Sequence, residues 1–257
     1  MSNSSGSLLA SLRGQLVVSC QAAQESPLVA RHHIVALAEA AVMGGARAVR
    51  IEGVANVAAV RAAVHVPIIG IVKAAQPDSD IFITALRLHA EALCEAGADV
   101  VAFDATQRPR PESVGALAQA VKDRGRIAMA DISTPDEARA AIAEGADFVG
   151  TTLAGYTSYS VNGPGPDFAL MASLAAANIP FAAEGRIWEP SEARRALEEG
   201  AMFVVVGSAI TRPDVITRRF AAELANAQIP SLSPPSQADA PNASGNSGSY
   251  AKERSGE

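Results

Sequence analysis

Lys73 and Glu184 have the settings in this chain best suited to moving protons. Lys73 closes PIIGIVK (67–73), whose other residues are all apolar or glycine, and the remaining lysines, Lys122 and Lys252, lie in polar surroundings. An amine at the end of an apolar strand loses hydration, so its pKa falls and its neutral form can act as base or nucleophile. The same position also suits an amine that reaches from a strand end into solvent. Glu184 closes PFAAE (180–184) and is followed by Gly185. A carboxyl group there titrates high unless paired, which fits acid–base work; the alternative is an ion pair with Arg186 or Arg50.

Arg50 and Asp131 are charged residues in the apolar runs ARAVRIE (46–52) and IAMAD (127–131). Burying such charges is costly unless they are paired, so they either bond a ligand's hydroxyls or pair with each other or with neighbours. Asp104, within FDATQRPRP (103–111), reads with Thr106 as an organiser of a turn. Two later runs end in AEGR (183–186) and VGSAITRP (206–213). Gly185 and Gly207 permit close backbone approach, Ser208 can donate, Arg212 can add a charged contact, and amides opening a short helix would face an anion. Gly207-Ser208 could instead merely cap that helix. The loop GTTLAGYTSYSVNGPGPD (150–167) carries Tyr156 and Tyr159 and could close over a site as a lid. His32, His33, His65 and His89 fall on helices or before a strand, and no His, Cys and carboxylate group has metal-ligand spacing, so no metal is expected.

The elements that must position these residues alternate along the chain. Eight apolar, β-branched runs occur at 15–19, 46–52, 67–73, 99–104, 127–131, 148–152, 180–184 and 203–207. Each is continuously apolar, as expected of strands buried on both faces. Ala-rich amphipathic stretches lie between them, among them 28–43, 112–124, 135–144, 167–177, 190–199 and 213–225. A repeat recurs in MGGARAVRI (43–51), EAGADVVAF (95–103), AEGADFVGT (143–151) and EEGAMFVVV (198–206): helix end, glycine turn, strand. Four such double units predict a (β/α)8 barrel of the phosphate-binding type, over residues 14–228, as a single domain. An open doubly wound sheet would want a dinucleotide-type glycine signature after its first strand, and none is present. In the barrel, ligand sites form at the carboxyl ends of strands, where the candidate residues above fall, the four histidines and Lys122 and Lys252 lying elsewhere. Residues 1–13 are expected to be flexible, and 229–257, rich in Ser, Pro, Gly, Asn and Ala, a disordered tail.

Composition narrows the function. The 257 residues carry a formal charge of −6, with 49% apolar and 19% charged residues. That balance is globular and lacks the basic face of a nucleic-acid binder. No apolar run reaches the roughly 18 residues of a membrane helix, and the first residues lack a secretory pattern. Cys20 and Cys94 cannot build a disulfide framework, so a cytoplasmic protein is expected, without nucleic-acid or membrane partners.

At the strand ends the chain resembles the N-acetylmannosamine-6-phosphate 2-epimerase family. The resemblance rests on VSCQA (18–22), GARAVRIEG (45–53), PIIGIVK (67–73), FDAT (103–106), RPRP (108–111), AMADIST (128–134), GTTLAGYT (150–157), AEGRI (183–187) and VVVGSAITRP (204–213), in order from about residue 13 to 226. It implies interconversion of N-acetylmannosamine 6-phosphate and N-acetylglucosamine 6-phosphate in amino-sugar catabolism, by inversion at C2. It implies that Lys73 and Glu184 exchange protons, that Gln21, Arg50, Asp131, Thr152 and Tyr156 contact the sugar, and that Gly185, Arg186, Gly207, Ser208 and Arg212 hold phosphate. It implies no cofactor and no metal; barrels of this type are often dimers, so a homodimer is expected. Where the family usually reads Lys-Arg-Asp, this chain reads Lys73-Ala74-Ala75-Gln76.

Inverting a carbon α to an aldehyde needs a base on one face and an acid on the other. A lysine lowered to about 7–8 and a glutamate raised to about 6–7 would serve at neutral pH, and Arg50 is the candidate to stabilise the enolate oxygen. Two other readings stay open from the residues alone: a Schiff-base lyase acting on a phosphorylated keto acid through Lys73, and a sugar-phosphate sensor without catalysis.

Overall fold

The computed structural model describes residues 3–228. The eight apolar runs form a closed parallel barrel: β1 (Leu16–Cys20), β2 (Ala48–Glu52), β3 (Ile68–Ile71), β4 (Val100–Asp104), β5 (Ile127–Asp131), β6 (Phe148–Gly150), β7 (Phe181–Glu184) and β8 (Val204–Val206). Each strand pairs with the next, and β8 pairs with β1 through Val17 opposite Val205. Helices α2 (Arg31–Met43), α3 (Val54–Ala63), α4 (Arg87–Glu95), α5 (Val114–Lys122), α6 (Pro135–Ala143), α7 (Phe168–Ala176) and α8 (Pro190–Glu198) follow strands β1 to β7 in turn. After β8 come the short α9 (Ser208–Thr211) and α10 (Pro213–Ala225).

Two apolar layers explain why the strands show no alternation. Val17, Ala48, Ile69, Ile71, Val100, Ala102, Met129, Phe148, Ala182 and Val205 fill the barrel interior. The intervening residues, among them Val18, Val49, Ile51, Phe103, Ala130 and Ala183, pack against the surrounding helices. Successive side chains of a strand point to opposite faces, so the period-two set that contains Val17, Ala48, Ile69 and Ala182 continues to Ser19, Arg50, Lys73 and Glu184. Register agrees, with Ser19 opposite Arg50 and Arg50 opposite Ile69. Cys20 belongs to the other set and packs in the outer layer.

The repeated glycines close helices. Gly45, Gly97, Gly145 and Gly200 all have φ between 99° and 109°. The alanine after each glycine donates back across the helix end: Ala46 to Ala41, Ala98 to Leu93, Ala146 to Ala141 and Ala201 to Ala196. This is the Schellman closure, which needs a left-handed residue and so favours glycine. It turns the chain abruptly into β2, β4, β6 and β8. At the other end of α6, Thr134 accepts from Glu137 N–H while the Glu137 carboxylate accepts from Thr134 N–H. With Pro135 at the first helical position, this capping box fixes where the helix begins.

The amino-terminal segment differs from expectation. Instead of a flexible lead, Asn3–Ser11 forms helix α1. Leu9 and Leu12 are buried within the interior cluster, and Gly14 N–H donates to Met202 O just ahead of β8. Polar, glycine-containing flanks hid two leucines that the barrel's amino-terminal end buries, and that apolar burial holds the helix. The expected tail, 229–257, lies outside the described residues.

Candidate active site

A cavity of about 330 Å³ opens at the carboxyl ends of the strands. Lys73, Glu184, Arg50, Gln21, Thr152 and Tyr156 line it, as do Gly185, Arg186, Gly207, Ser208 and Arg212. Asp131 does not line the cavity; it is fully buried behind Arg50.

Arg50 organises the floor. It is 1% exposed, and its guanidinium grips Asp131 with two bonds, Nη1 to Oδ1 at 3.2 Å and Nη2 to Oδ2 at 2.6 Å. The same Nη1 lies 2.6 Å from Glu184 Oε2. Thr152 Oγ1 donates to Asp131 Oδ1 at 2.6 Å and stands 3.3 Å from Glu184 Oε2. Of the two partners considered for Glu184, Arg50 is therefore the one it has. Both oxygens of Asp131 are engaged, by Arg50 and Thr152, so in this structure its carboxylate holds Arg50 in place.

Loss of hydration raises the Glu184 carboxyl to about 7; Arg50 pulls it down, and the Asp131 charge pushes it back up. One guanidinium shared between two carboxylates neutralises neither fully, so a proton on Glu184 is inexpensive near neutrality. Glu184's backbone is fixed by Thr151, whose hydroxyl accepts from Glu184 N–H at 3.0 Å and donates to Glu184 O at 2.9 Å. Gly150 makes room for this network: a Cβ there would fall 2.3 Å from Met129 Cε and 3.0 Å from Asp131 Oδ1.

Lys73 stands just beyond β3, on the rim. It is exposed, where the sequence suggested burial. The cavity walls still remove enough water to lower its amine below the usual lysine value, and Arg50 lowers it further, against pulls from Glu52, Glu184 and Asp131. Its backbone N–H faces Glu52 Oε1 at 3.4 Å.

Gln21 Nε2 donates to Ser19 Oγ at 2.7 Å, while its Oε1 is buried with no partner among the described residues. Arg50 Nε is likewise unpartnered. Buried polar groups without partners carry a desolvation cost that a ligand's N–H or hydroxyl would remove.

The residues expected around phosphate divide. Gly185 has φ 108° and Gly207 lies against β1, where a Cβ would come 3.3 Å from Ser19 Cβ, so both glycines bring backbone up to the cavity. Ser208 opens α9 beside them. Arg212 stands at the mouth but is paired with Asp214 through two bonds of 2.9 and 2.8 Å, which holds Asp214 down at about 2. Arg186 lines the cavity, and its Nε donates to Gly165 O at 2.7 Å while its Nη1 donates to Ala154 O. Its guanidinium thus ties the 150–167 loop to the end of β7.

That loop is anchored and not a free lid. Tyr159 Oη donates to Glu137 Oε1 at 2.7 Å, Ser133 and Thr157 share a 3.0 Å hydroxyl contact, and Ser160 Oγ accepts from Gly155 N–H. Tyr156 is 62% exposed at the rim, 5.9 Å from the Arg186 guanidinium. Asp104 behaves as the turn organiser the sequence suggested, accepting from Thr106 N–H and Oγ1 and from Arg108 Nη2.

Phe82, Ile83 and Trp188 line the cavity without having been singled out from sequence. Trp188, the sole tryptophan, directly follows AEGRI and could have been found there. Phe82 and Ile83 arrive from a hairpin that no local pattern announces. Among the described residues, no group of three or more His, Cys, Asp or Glu is placed to hold a metal ion.

Comparison with known proteins gives one consistent family. The family model described as "Putative N-acetylmannosamine-6-phosphate epimerase" matches residues 34–226. The chain is 48% identical over 220 residues to the "Bifunctional enzyme NanE/NanK" of Brucella melitensis, covering 86% of this chain but spanning only 42% of that protein. It is 49% identical to a "Putative N-acetylmannosamine-6-phosphate 2-epimerase" of Vibrio cholerae, over 81% of this chain and 87% of the relative. The solved N-acetylmannosamine-6-phosphate 2-epimerase of Clostridium perfringens is 42% identical with a TM-score of 0.82, covering 84% of this chain and 96% of that one.

Proposed function

The chain belongs to the N-acetylmannosamine-6-phosphate epimerase family, and from that premise we propose that it interconverts N-acetylmannosamine 6-phosphate and N-acetylglucosamine 6-phosphate by removing and returning the proton at C2. The observation that carries this reading is that Lys73 and Glu184, from opposite parts of the barrel rim, open into one cavity, with Glu184 raised to about 7 and Lys73 lowered.

In one direction the Glu184 carboxylate takes the C2 proton and the Lys73 ammonium delivers one to the opposite face. The reverse direction exchanges the roles, so each group must hold and release a proton near neutral pH. The C–H electron pair moves onto the C1 oxygen as an enolate forms, then returns to C2 as the new C–H bond is made. Arg50, kept charged by its two carboxylates, supplies positive charge at the cavity floor for that oxygen. Gln21 Oε1 accepts from a sugar N–H or hydroxyl. Phosphate sits where Gly185, Gly207 and Ser208 present backbone and hydroxyl donors, with Arg212 at the mouth, and this remote grip places C2 between the two proton carriers.

The test is solvent exchange: in D2O the enzyme exchanges deuterium into C2 of either sugar phosphate, and absence of both exchange and epimerisation overturns the reading. The same reading includes a cytoplasmic homodimer; Phe220 and Leu224, 69% and 70% exposed on α10, support self-association, which light scattering reads.

A further inference from the structure

Lys73 is not part of β3, which ends at Ile71. It rides on a short antiparallel excursion, residues 72–84, in which it bridges Ile83 and Gln76 bridges Ser79. Ala74 N–H donates to Phe82 O at 2.9 Å, and Thr84 N–H donates to Val72 O at 2.7 Å. The returning arm is fixed to the barrel, since Asp104 N–H donates to Ile83 O at 3.0 Å. The tip is also held, by Ser79 Oγ donating to Pro109 O.

Thr84 closes this arm in an unusual way. It is fully buried and has φ 45°, a left-handed backbone that β-branched residues rarely adopt. Besides its N–H bond to Val72 O, its Oγ1 accepts from Val72 N–H at 3.2 Å. One residue thus occupies both backbone groups of Val72, immediately before Lys73. Strained conformations persist where the surroundings over-determine them, and they concentrate where geometry must be held.

We propose that Thr84 is a positioning residue: by clamping Val72 it fixes the stem from which the Lys73 amine enters the cavity. The proposal rests on the assignment of proton transfer to Lys73. The clamp keeps the amine within reach of the charges that act on it, Arg50 and Glu52 on β2, Glu184 on β7 and, behind Arg50, Asp131 on β5. Ala74 and Ala75, which follow Lys73, offer no charged side chain of their own to do so.

The experiment compares the full-length chain with Thr84→Val, Thr84→Gly and Thr84→Ser. Valine keeps the shape without the hydroxyl; glycine, at ease at this φ, keeps the fold without the hydroxyl; serine keeps the hydroxyl. Two readouts are taken: kcat and KM, and the pH dependence of Lys73 acetylation by acetic anhydride, read by peptide mass spectrometry. Misplacing a catalytic group by about an ångström can cost on the order of 100-fold, so a partial loosening should lower kcat by about 10-fold in the valine and glycine variants, with KM unchanged. Their Lys73 should titrate closer to the ordinary 10.5, and serine should restore both readouts. Wild-type kcat and acetylation profile in the valine and glycine variants, even with a lowered Tm, would overturn the proposal and leave Thr84 a purely structural residue. If the wild-type chain shows no C2 exchange, the functional reading fails by itself, while the acetylation profile still reports whether Thr84 holds Lys73.

Discussion

Arg50 Nη1 lies 2.6 Å from Glu184 Oε2 while its Nη2 lies 2.6 Å from Asp131 Oδ2. Residues 134 positions apart in the chain thereby form one electrostatic unit, in which a single cation is divided between two carboxylates. The division leaves Glu184 able to carry a proton near pH 7.

Asp131→Asn removes the competing charge. Glu184 then becomes the sole counter-ion of Arg50, its carboxylate is favoured, and its titration falls below about 7. The acid limb of kcat/KM against pH, in the direction where Glu184 is the base, should move to lower pH by about one unit or more. An unmoved limb would separate Asp131 from the tuning of Glu184.

Glu184→Gln should abolish C2 exchange yet stabilise the fold at alkaline pH. The folded carboxyl titrates near 7, against 4.5 in its ordinary state, so the folded protein holds this proton more tightly than the unfolded chain. The associated stability is complete below about 4.5 and is lost as pH rises through about 7. Glutamine carries no such charge, so its Tm should exceed wild type by about 2–4 °C at pH 8, corresponding to about 1 kcal/mol, and match it near pH 4. Calorimetry at the two pH values decides; equal differences at both would refute the linkage.

Lys73→Ala and Lys73→Arg should both lose C2 exchange by at least about 1,000-fold while keeping the wild-type Tm within about 2 °C, because the side chain stands exposed on the rim. Borohydride with substrate should leave no sugar on Lys73 of the wild-type chain. A trapped adduct would instead favour carbonyl condensation at this amine.

Arg186→Ala releases Ala154 and Gly165 from the end of β7. The 150–167 loop should then open more often, seen as faster proteolytic nicking near its exposed Ser158, Val161 and Asn162. KM should rise several-fold with a smaller change in kcat, since Tyr156 and Leu153 of this loop line the cavity. Unchanged nicking and KM would show that the loop's other bonds suffice.

The strands were legible because a barrel strand is apolar on both faces, and the glycine turns were legible because a left-handed helix end strongly selects glycine. Positions such as Arg50 and Glu184 could be read as strand ends, but not who pairs with whom: Asp131 lies 81 residues from Arg50, and only barrel closure brings them together. The partners of Arg186 and Asp131 in the structure were hidden for the same reason, since backbone carbonyls and buried counter-ions leave no mark in a local pattern. Helix α1 was missed because two leucines among serines and glycines look like linker until the barrel interior is there to receive them.

The two proposed proton carriers differ in wetness: the Lys73 side chain is exposed, whereas that of Glu184 is 13% exposed. Hydrogens on the amine refresh from bulk water between encounters, while the one on the carboxyl is shielded and slower to be replaced. If these two groups carry the protons as proposed, the catalyst should have an isotopic memory on one face of the sugar and none on the other. Tritium lifted from C2 by the carboxylate should be partly handed back to the same epimer, whereas tritium lifted by the amine should wash out.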